Sequence, residues 1–392
     1  MTVAASVVAT PVPRHVARDA ASLRVAIVHD WLVTWAGAER CLERFLALFP
    51  QADLFATIDH LPAPLRAGLH GKRARTSFLQ PLPGVASWYR KALPVMPAAI
   101  ASLDLTGYDL VLSSSHAVAK GVPIPRGAHH VCYCYTPMRY AWDLRDEYLD
   151  ALGWGGVRRL AAGWLLDRLR AWDLRSARRV DAFIAISHEV AGRIGRNYGR
   201  DATVIHPPVN VDAFTPGVAS RGTHFVTAGR LVPYKRVDLM CDAFRMRPDR
   251  ELRVIGDGPE GDRLRRAAPP NVRFLGRVDE STLLAELRSA RAFVFAAEED
   301  FGIAPLEAQA CGTPVLAYAR GAVRETLRPL GAHEAPGAVF YEAQSPDALC
   351  EAIATLDARG DAITADACRT NAMRFATARF DAELRDFFRG VG

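Results

Sequence analysis

The sequence has 392 residues, half of them hydrophobic, with a formal net charge of +6 and an isoelectric point near 9.0. This length exceeds one ordinary hydrophobic core and predicts two domains. The seven cysteines are odd in number and form no CxxC pair, which argues against a disulfide scaffold and predicts a reduced, cytoplasmic protein. No apolar run approaches the roughly 18 residues of a membrane span. Residues 1–22 lack the pattern of a signal peptide, so we expect a loose tail.

The predicted fold begins with an apolar strand at 24–29, followed by a loop and a helix from Gly37 to about Phe49. Gly37 would let a phosphate or a sugar approach the backbone, although this stretch is not a GxGxxG dinucleotide motif. Further strands of the first half are predicted at 53–57, 109–113, 130–134 and 181–186. Helical stretches separate most of them, and this alternation predicts an α/β fold with parallel, helix-flanked sheets.

Two segments of the first half are unusually basic. Residues 60–103 contain six lysines and arginines and no acidic residue, and residues 154–180 read as a helix with seven arginines and three tryptophans. A solvated basic face, an anionic membrane surface and a groove for single-stranded nucleic acid all fit this pattern. No recognisable nucleic-acid-binding motif accompanies the segments, so we expect no nucleic-acid partner.

A strand running into a proline-stiffened linker at 203–212 marks a domain boundary. The second half repeats the strand–loop–helix pattern, and the loop after its first strand carries Gly229, Arg230 and Lys235. Its second strand leads into Gly256. Because the carboxyl ends of parallel strands meet at one edge of a sheet, the two cations can contact a diphosphate there.

The most informative stretch begins at Glu299 and ends at Glu307. An apolar strand at 292–297 precedes it, and a helix is predicted at 306–311. The free amides and the dipole of such a helix bind anions, and a carboxylate facing that site would bind hydroxyl groups attached to the anion. A phosphate joined to a polyol describes a nucleotide sugar. From this stretch alone, the alternative is that Glu299 and Glu307 are two ordinary glutamates of an αβ unit with no role in ligand binding.

These motifs, together with the Ala310 to Val315 segment, resemble glycosyltransferase family 4 from about residue 24 to the C-terminus. The resemblance implies the GT-B fold, an α/β architecture in which two Rossmann-like domains with parallel sheets face each other across a cleft. The implied organisation is a loose tail at 1–22, an acceptor-binding domain at 23–206, a nucleotide-sugar-binding domain at 207–372 and a helix at 373–392 that crosses back to the first domain. The helical part of that last segment is expected at about 373–388.

The resemblance also implies roles for individual residues. Arg230 and Lys235 would hold the diphosphate, and Glu307 would accept hydrogen bonds from the ribose hydroxyls. Glu299 would hold the transferred sugar. The remaining residues expected at the nucleotide sugar are Gly37, Gly229, Gly256, Phe301, Gly302 and Ile303.

The sequence departs from the family pattern at two positions. Ala36 stands where a second glycine is common, and Tyr135 stands where a histidine usually touches the donor sugar. Tyrosine stays neutral but keeps one O–H donor, so we expect Tyr135 to orient the sugar. His116, in the loop after the strand at 109–113, is the expected substitute if a cation is required.

The segments at 108–120 and 132–143 resemble a bacterial mannosyltransferase branch that builds O-antigens and exopolysaccharides. We therefore expect a retaining transferase that moves mannose from GDP-mannose to a polyprenyl-diphosphate-linked saccharide. It would lie in the cytoplasm, peripherally bound to the anionic inner face of the cell membrane. A UDP-sugar donor, a two-domain epimerase and an inactive nucleotide-sugar-binding relative are the alternatives.

The expected chemistry needs no cofactor beyond the donor. Negative charge grows on the β-phosphate as the glycosidic bond breaks, and Arg230, Lys235 and a helix N-terminus can stabilise it electrostatically. This predicts a metal-independent reaction. Magnesium bound by the acidic residues at 298–300 is the alternative.

Overall fold

The computed structural model describes residues 23–143, 145–151, 155–217 and 221–389. The predicted tail at 1–22 and Trp154, at the start of the basic segment 154–180, lie outside these ranges. The chain divides into two compact units, the first running to His206 and resuming at Asp381, the second spanning Pro207–Phe380. Each unit is a parallel sheet with helices around it, which confirms the predicted α/β class. Within the described residues, no helix is long and apolar enough to cross a membrane.

The sheet of the first unit has seven strands. They are β1 Val25–His29, β2 Asp53–Ala56, β3 Arg75–Thr76, β4 Leu110–Ser115, β5 His129–Cys134, β6 Ala182–Ala185 and β7 Thr203–Val204. Their order is β3-β2-β1-β4-β5-β6-β7 with parallel pairing throughout. Every residue of β1 and β4 is buried, as a parallel strand covered on both faces requires. The strand order reverses between β1 and β4, and such switch points are where open α/β sheets bind ligands.

Helices of the first unit cover both faces of this sheet. They are α1 Gly37–Leu48, α2 Val85–Trp88, α3 Met96–Ala101, α4 Arg145–Ala151, α5 Gly156–Ala177 and α6 His188–Tyr198. Local signals set their ends, as in α6. The Ser187 hydroxyl accepts a hydrogen bond from the Val190 amide at its start, and Gly199 ends it in a left-handed conformation. Within the basic stretch at 154–180, Gly156–Ala177 form helix α5.

The second unit repeats the architecture with six parallel strands. They are β8 Phe225–Ala228, β9 Leu252–Ile255, β10 Val272–Gly276, β11 Ala292–Phe295, β12 Val315–Tyr318 and β13 Ala338–Tyr341. The order is β10-β9-β8-β11-β12-β13, so the switch point lies between β8 and β11. The loops after these two strands carry the predicted cations and the 299–307 stretch, respectively. The topology thus brings both motifs to one sheet edge.

The helices of the second unit are α7 Val237–Met246, α8 Gly261–Ala267, α9 Glu280–Ser289, α10 Ile303–Ala310, α11 Val323–Thr326, α12 Pro346–Arg359 and α13 Ala365–Met373. Helix α10 begins at Ile303, before the predicted start at 305–306, so Pro305 is its third residue rather than its first. Proline is tolerated there because the first-turn amides have no intrahelical partner.

The C-terminal helix also differs from its predicted bounds. A continuous helix over about 373–388 was expected, but α13 ends at Met373 and α14 spans Thr377–Arg389. The break occurs because the Phe375 carbonyl accepts a hydrogen bond from the Val209 amide at 2.8 Å instead of continuing a helix. Within the first unit, α14 is held by an ion pair between Arg44 and Asp381.

Candidate functional site

Two predicted site residues form an ion pair at the switch point of the second unit. The Nζ of Lys235, from the loop after β8, pairs with Oε1 of Glu299, from the loop after β11. Both side chains are about four-fifths buried, at 20% and 18% exposure. Burial alone would lower the pKa of Lys235, but the charge and hydrogen bonding of Glu299 outweigh it and raise that pKa. Lys235 is therefore a firmly charged ammonium beside a carboxylate.

Arg230 lies beside this pair. It is exposed, and among the described residues its guanidinium has no hydrogen-bond or ion-pair partner. Arg230, Lys235 and Gly229 line one small cavity together with Phe295, at the end of β11. Because the charges of Lys235 and Glu299 cancel, the charge of Arg230 makes the cavity positive overall, which favours binding of an anion.

The close packing of two loops explains the glycine at 256. A Cβ there would collide with the carbonyl oxygen of Gly229, and the φ of Gly256 is 118°. The Gly229 amide donates to the Ile255 carbonyl at 3.0 Å, which fixes the loop after β8 against β9. Gly256 thus shapes the loop that carries Arg230, and its contact with a nucleotide stays a prediction.

The loop after β11 turns into α10 through Gly302, whose φ of 86° is in the region that favours glycine. Phe301 is buried and packs edge-to-face on Phe375, with ring centroids 5.5 Å apart. Ile303 opens the helix, so the amides at 301–303 lie at its positive end. Glu307 is partly exposed on the second turn of α10.

A fully buried carboxylate organises the switch point of the first unit. Asp30 directly follows β1 and accepts four consecutive backbone amides at 2.6–3.0 Å, from His116, Ala117, Val118 and Ala119. Its Oδ2 also lies 2.9 Å from Nδ1 of His116. Burial raises the pKa of Asp30, but the charge and hydrogen bonds of His116 outweigh this effect and lower it.

His116 is consequently held in a defined orientation after β4. Since Nδ1 donates to Asp30, Nε2 is the nitrogen left for another partner, and the side chain is 33% exposed. Burial lowers its pKa, yet the charge of Asp30 is stronger and raises the pKa above the ordinary value. The ring of Trp31 packs against it with centroids 4.7 Å apart. The predicted candidate His116 is therefore oriented by Asp30, which favours its charged form, and its Nε2 is left for another partner.

The hydroxyl of Tyr135 is used inside the unit. It donates to the carbonyl of Ala38 in α1 at 2.9 Å, and it lies 2.9 Å from the Ser114 hydroxyl. Because a carbonyl can only accept, Ser114 must donate to Tyr135, and Nδ1 of His29, 3.0 Å away, must donate to Ser114. Tyr135 is 9% exposed. The structure thus commits the tyrosine's O–H donor to anchoring the helix that Gly37 opens.

A second buried carboxylate supports the loop that carries His116. Lys120 and Asp173 form an ion pair in which both side chains are fully buried. Asp173 also accepts hydrogen bonds from Nε1 of Trp142 at 2.8 Å and from the Tyr198 hydroxyl at 2.6 Å. Burial lowers the pKa of Lys120, but Asp173 outweighs it and raises the pKa. Asp173 lies on the basic helix α5, but its carboxylate is buried and its role is internal.

Asp30 is not among the site residues predicted from the sequence. The available signal was an acidic residue directly after an apolar strand at the predicted carboxyl edge, in the same position relative to β1 that His116 holds relative to β4. The long-range partner could not be read from the sequence because the two residues are 86 positions apart.

Comparison with known proteins identifies both halves. Residues 35–213 match the family model described as Glycosyltransferase Family 4, and residues 212–374 match the model described as Glycosyl transferases group 1. The chain carries two glycosyltransferase domains. The family resemblance inferred from the motifs is confirmed at this level, whereas membership of an O-antigen branch stays a prediction.

Curated glycosyltransferase relatives match parts of the chain. A GDP-mannose-dependent monoacylated alpha-(1-6)-phosphatidylinositol monomannoside mannosyltransferase of Corynebacterium glutamicum is 33% identical over 180 residues, covering 38% of this chain and 47% of its own length. A D-inositol 3-phosphate glycosyltransferase of Geodermatophilus obscurus is 30% identical over 224 residues, 48% of each chain. The chain thus spans about half the length of these glycosyltransferases.

Solved structures share the fold over nearly the whole chain. HepE of Anabaena, in complex with UDP and glucose, superposes with a TM-score of 0.65 at 17% identity, covering 94% of this chain and 99% of HepE. A sucrose-phosphate synthase of Thermosynechococcus elongatus gives 0.68 at 17% identity, with 93% and 98% covered. At this identity the likeness establishes the fold of the glycosyltransferase domains, which is GT-B.

Proposed function

We propose that this protein is a retaining glycosyltransferase that takes a sugar from a nucleoside diphosphate. The observation that carries the proposal is the Lys235–Glu299 ion pair beside the unpartnered Arg230. Two cations and one carboxylate at the carboxyl ends of adjacent strands match a ligand that joins a diphosphate to a polyol. The two glycosyltransferase domains supply the reaction class.

The geometry suggests how the donor would be handled. An incoming diphosphate attracts Lys235 and Arg230, and it displaces Glu299 from the lysine. The freed carboxylate then accepts hydrogen bonds from the hydroxyl groups of the transferred sugar. As the glycosidic bond breaks, Lys235, Arg230 and the amides at the start of α10 stabilise the charge that develops on the leaving phosphate. The acceptor hydroxyl attacks from the same face and gives its proton to the departing diphosphate oxygen, so the anomeric configuration is retained.

For the donor we propose GDP-mannose. The support is the similarity to the Corynebacterium glutamicum relative, a GDP-mannose-dependent mannosyltransferase. A UDP-sugar is the second candidate, because HepE was solved with UDP and glucose. The proposed reaction is metal-independent, since two cations and a helix N-terminus already serve the phosphates.

In the first unit we propose that His116, rather than Tyr135, supplies the polar side chain that touches a substrate. The tyrosine hydroxyl is bonded to Ala38 and Ser114. The imidazole has Nδ1 fixed by Asp30 and Nε2 left over at a partly exposed position. A charged Nε2–H can donate to a hydroxyl group or to a phosphate oxygen.

The acceptor is proposed to be a polyprenyl-diphosphate-linked saccharide at the anionic inner face of the membrane. The support is an apolar stripe on α5, where Val157, Leu160 and Trp164 are 81%, 74% and 60% exposed. Arg158 is exposed next to the stripe, and Arg168 lies over the Trp164 ring at 4.7 Å. Apolar side chains flanked by arginines suit an interface with anionic lipid.

A single experiment tests the proposed function. Purified protein is incubated with GDP-mannose, UDP-glucose and UDP-galactose, with and without EDTA, and release of the nucleoside diphosphate is measured. Slow hydrolysis of GDP-mannose that EDTA leaves unchanged is expected. Release from a UDP-sugar alone would overturn the donor, and loss of release with EDTA would overturn metal independence. If no nucleoside diphosphate is released or bound from any donor, the chain is an inactive relative.

A further inference from the structure

The residue after Lys235 has an unusual backbone conformation. Arg236 has φ 53° and ψ 40°, the left-handed region that favours glycine. Only one other non-glycine residue of the described ranges, His70, has a positive φ. Arg236 precedes the first residue of α7, so its conformation decides how the loop with Lys235 enters that helix. Such strain persists only where surrounding contacts enforce it.

The side chain of Arg236 makes those contacts. Its Nη1 donates to Oε1 of Gln344 at 2.7 Å, and its Nε is 3.4 Å from Oδ1 of Asp238. Gln344 lies between β13 and α12, and its Nε2 donates to the carbonyl of Ala296 at 2.8 Å. Ala296 directly follows β11 and leads to Glu299. Two successive hydrogen bonds therefore connect the loops that carry the lysine and the glutamate.

We propose that Arg236 and Gln344 are positioning residues that set the separation of Lys235 and Glu299, and thereby the affinity for a nucleoside diphosphate. The inference rests on the proposed function of the pair. The backbone conformation would be easier for glycine, so an arginine there stabilises the loop only through its side chain. Holding the two loops at a fixed separation keeps the cation and the carboxylate aligned before the ligand arrives.

The test uses Arg236→Gly, because glycine relieves the backbone strain while it removes the bridge. The matched control is His70→Gly, which relieves the same strain at an exposed position of the first unit. Binding of GDP and UDP is measured by calorimetry and unfolding by a thermal scan. We expect Arg236→Gly to bind the preferred nucleotide about tenfold more weakly, as for one lost hydrogen bond to a charged group. Its unfolding temperature should stay within about 3 °C of the parent protein, and His70→Gly should bind normally.

Gln344→Ala separates positioning from direct contact. If Arg236 acts through Gln344, this change should weaken nucleotide binding by the same factor, and the double variant should be no weaker than either single one. Arg236→Lys, which keeps a donor, should restore part of the affinity. Unchanged affinity in Gln344→Ala would overturn the proposal, because Arg236 would then touch the phosphates itself. A fall in unfolding temperature that accounts for the lost affinity would also overturn it, since the bridge would be merely structural.

A second readout does not depend on nucleotide binding. Acetylation of Lys235 by acetic anhydride is followed by mass spectrometry of the ligand-free protein. With the bridge intact, Glu299 keeps the ammonium protonated and slow to react, and we expect faster acetylation in Arg236→Gly and Gln344→Ala. If the parent protein binds no nucleoside diphosphate, the proposed function is refuted. The acetylation rate of Lys235 still tests whether Arg236 and Gln344 position the lysine against Glu299. Equal rates in all variants would refute this positioning role.

Discussion

Removing the carboxylate of Glu299 should separate donor binding from sugar transfer. In the ligand-free protein, Glu299 forms an ion pair with the Lys235 ammonium, which is the group proposed to bind the diphosphate. Glu299→Ala frees Lys235, so the variant should bind a nucleoside diphosphate at least as tightly as the parent protein. The same variant loses the group proposed to hold the sugar, so turnover should fall.

The burial of the pair sets the expected size of both effects. With both side chains about four-fifths buried, a hydrogen bond between charged groups contributes on the order of 1.5–3 kcal/mol. The parent protein gives up part of this when the phosphate displaces Glu299, so Glu299→Ala should gain up to about tenfold in nucleotide affinity. Loss of the sugar contact should lower kcat roughly ten- to a hundredfold. Calorimetry with GDP and UDP gives the affinity, and transfer or hydrolysis of GDP-mannose gives kcat.

Two variants serve as controls for this experiment. Glu298→Ala removes the exposed neighbouring carboxylate and should change neither quantity. Glu307→Ala should weaken binding of the nucleoside diphosphate itself, because Glu307 is predicted to hold the ribose. If Glu299→Ala weakens nucleotide binding as much as Lys235→Ala does, the two residues act together on the phosphate and the division of roles is refuted.

The remaining predictions concern the first unit. Arg158→Glu combined with Arg168→Glu should weaken binding to phosphatidylserine vesicles at low salt by more than about tenfold. The reason is that each cation near an anionic surface contributes about 1 kcal/mol to binding. Unchanged binding would mean that this face of α5 is merely solvated. Because the pKa of His116 is raised, its pairing with Asp30 stabilises the fold below about pH 6.5, and this stabilisation is lost as the pH rises through the raised pKa. The free energies of unfolding in urea of the parent protein and of His116→Gln should therefore converge in alkaline buffer. Asp173→Asn should cost about 3–5 kcal/mol in urea unfolding, because a buried lysine loses its counter-charge. The exposed Asp167→Asn on the same helix should cost at most about 1 kcal/mol.

Much of the fold could be predicted because its strands are short, apolar and bounded by turn residues. The strands predicted at 53–57 and 130–134 agree with β2 and β5 to within one residue at each end. Errors concentrate at element ends, where long-range contacts decide. Helix α10 starts at Ile303 because Gly302 adopts a left-handed turn, and the final helix breaks because Phe375 bonds to Val209.

The site could be predicted only where its residues lie in contiguous motifs. Lys235 and Glu299 were found because each stands in a loop after an apolar strand, and parallel topology places such loops together. Their mutual ion pair, the bond between Tyr135 and Ala38, and the Asp30 cluster depend on residues 64 to 97 positions apart. Neither spacing nor composition specifies such partners.

The two units differ in whether their charged side chains are available to a ligand, and this difference bears on where catalysis would occur. In the first unit, Asp30 is satisfied by four amides and an imidazole, and Asp173 by a lysine and two aromatic donors. Those carboxylates stabilise the protein and cannot be offered to a ligand without large cost. In the second unit, Arg230 has no partner among the described residues, and Lys235 has one that a phosphate can replace. This difference supports the proposal that the second unit stabilises the leaving diphosphate. In the first unit, His116 is the residue proposed to touch a substrate, because Asp30 holds its Nδ1 and its side chain is 33% exposed.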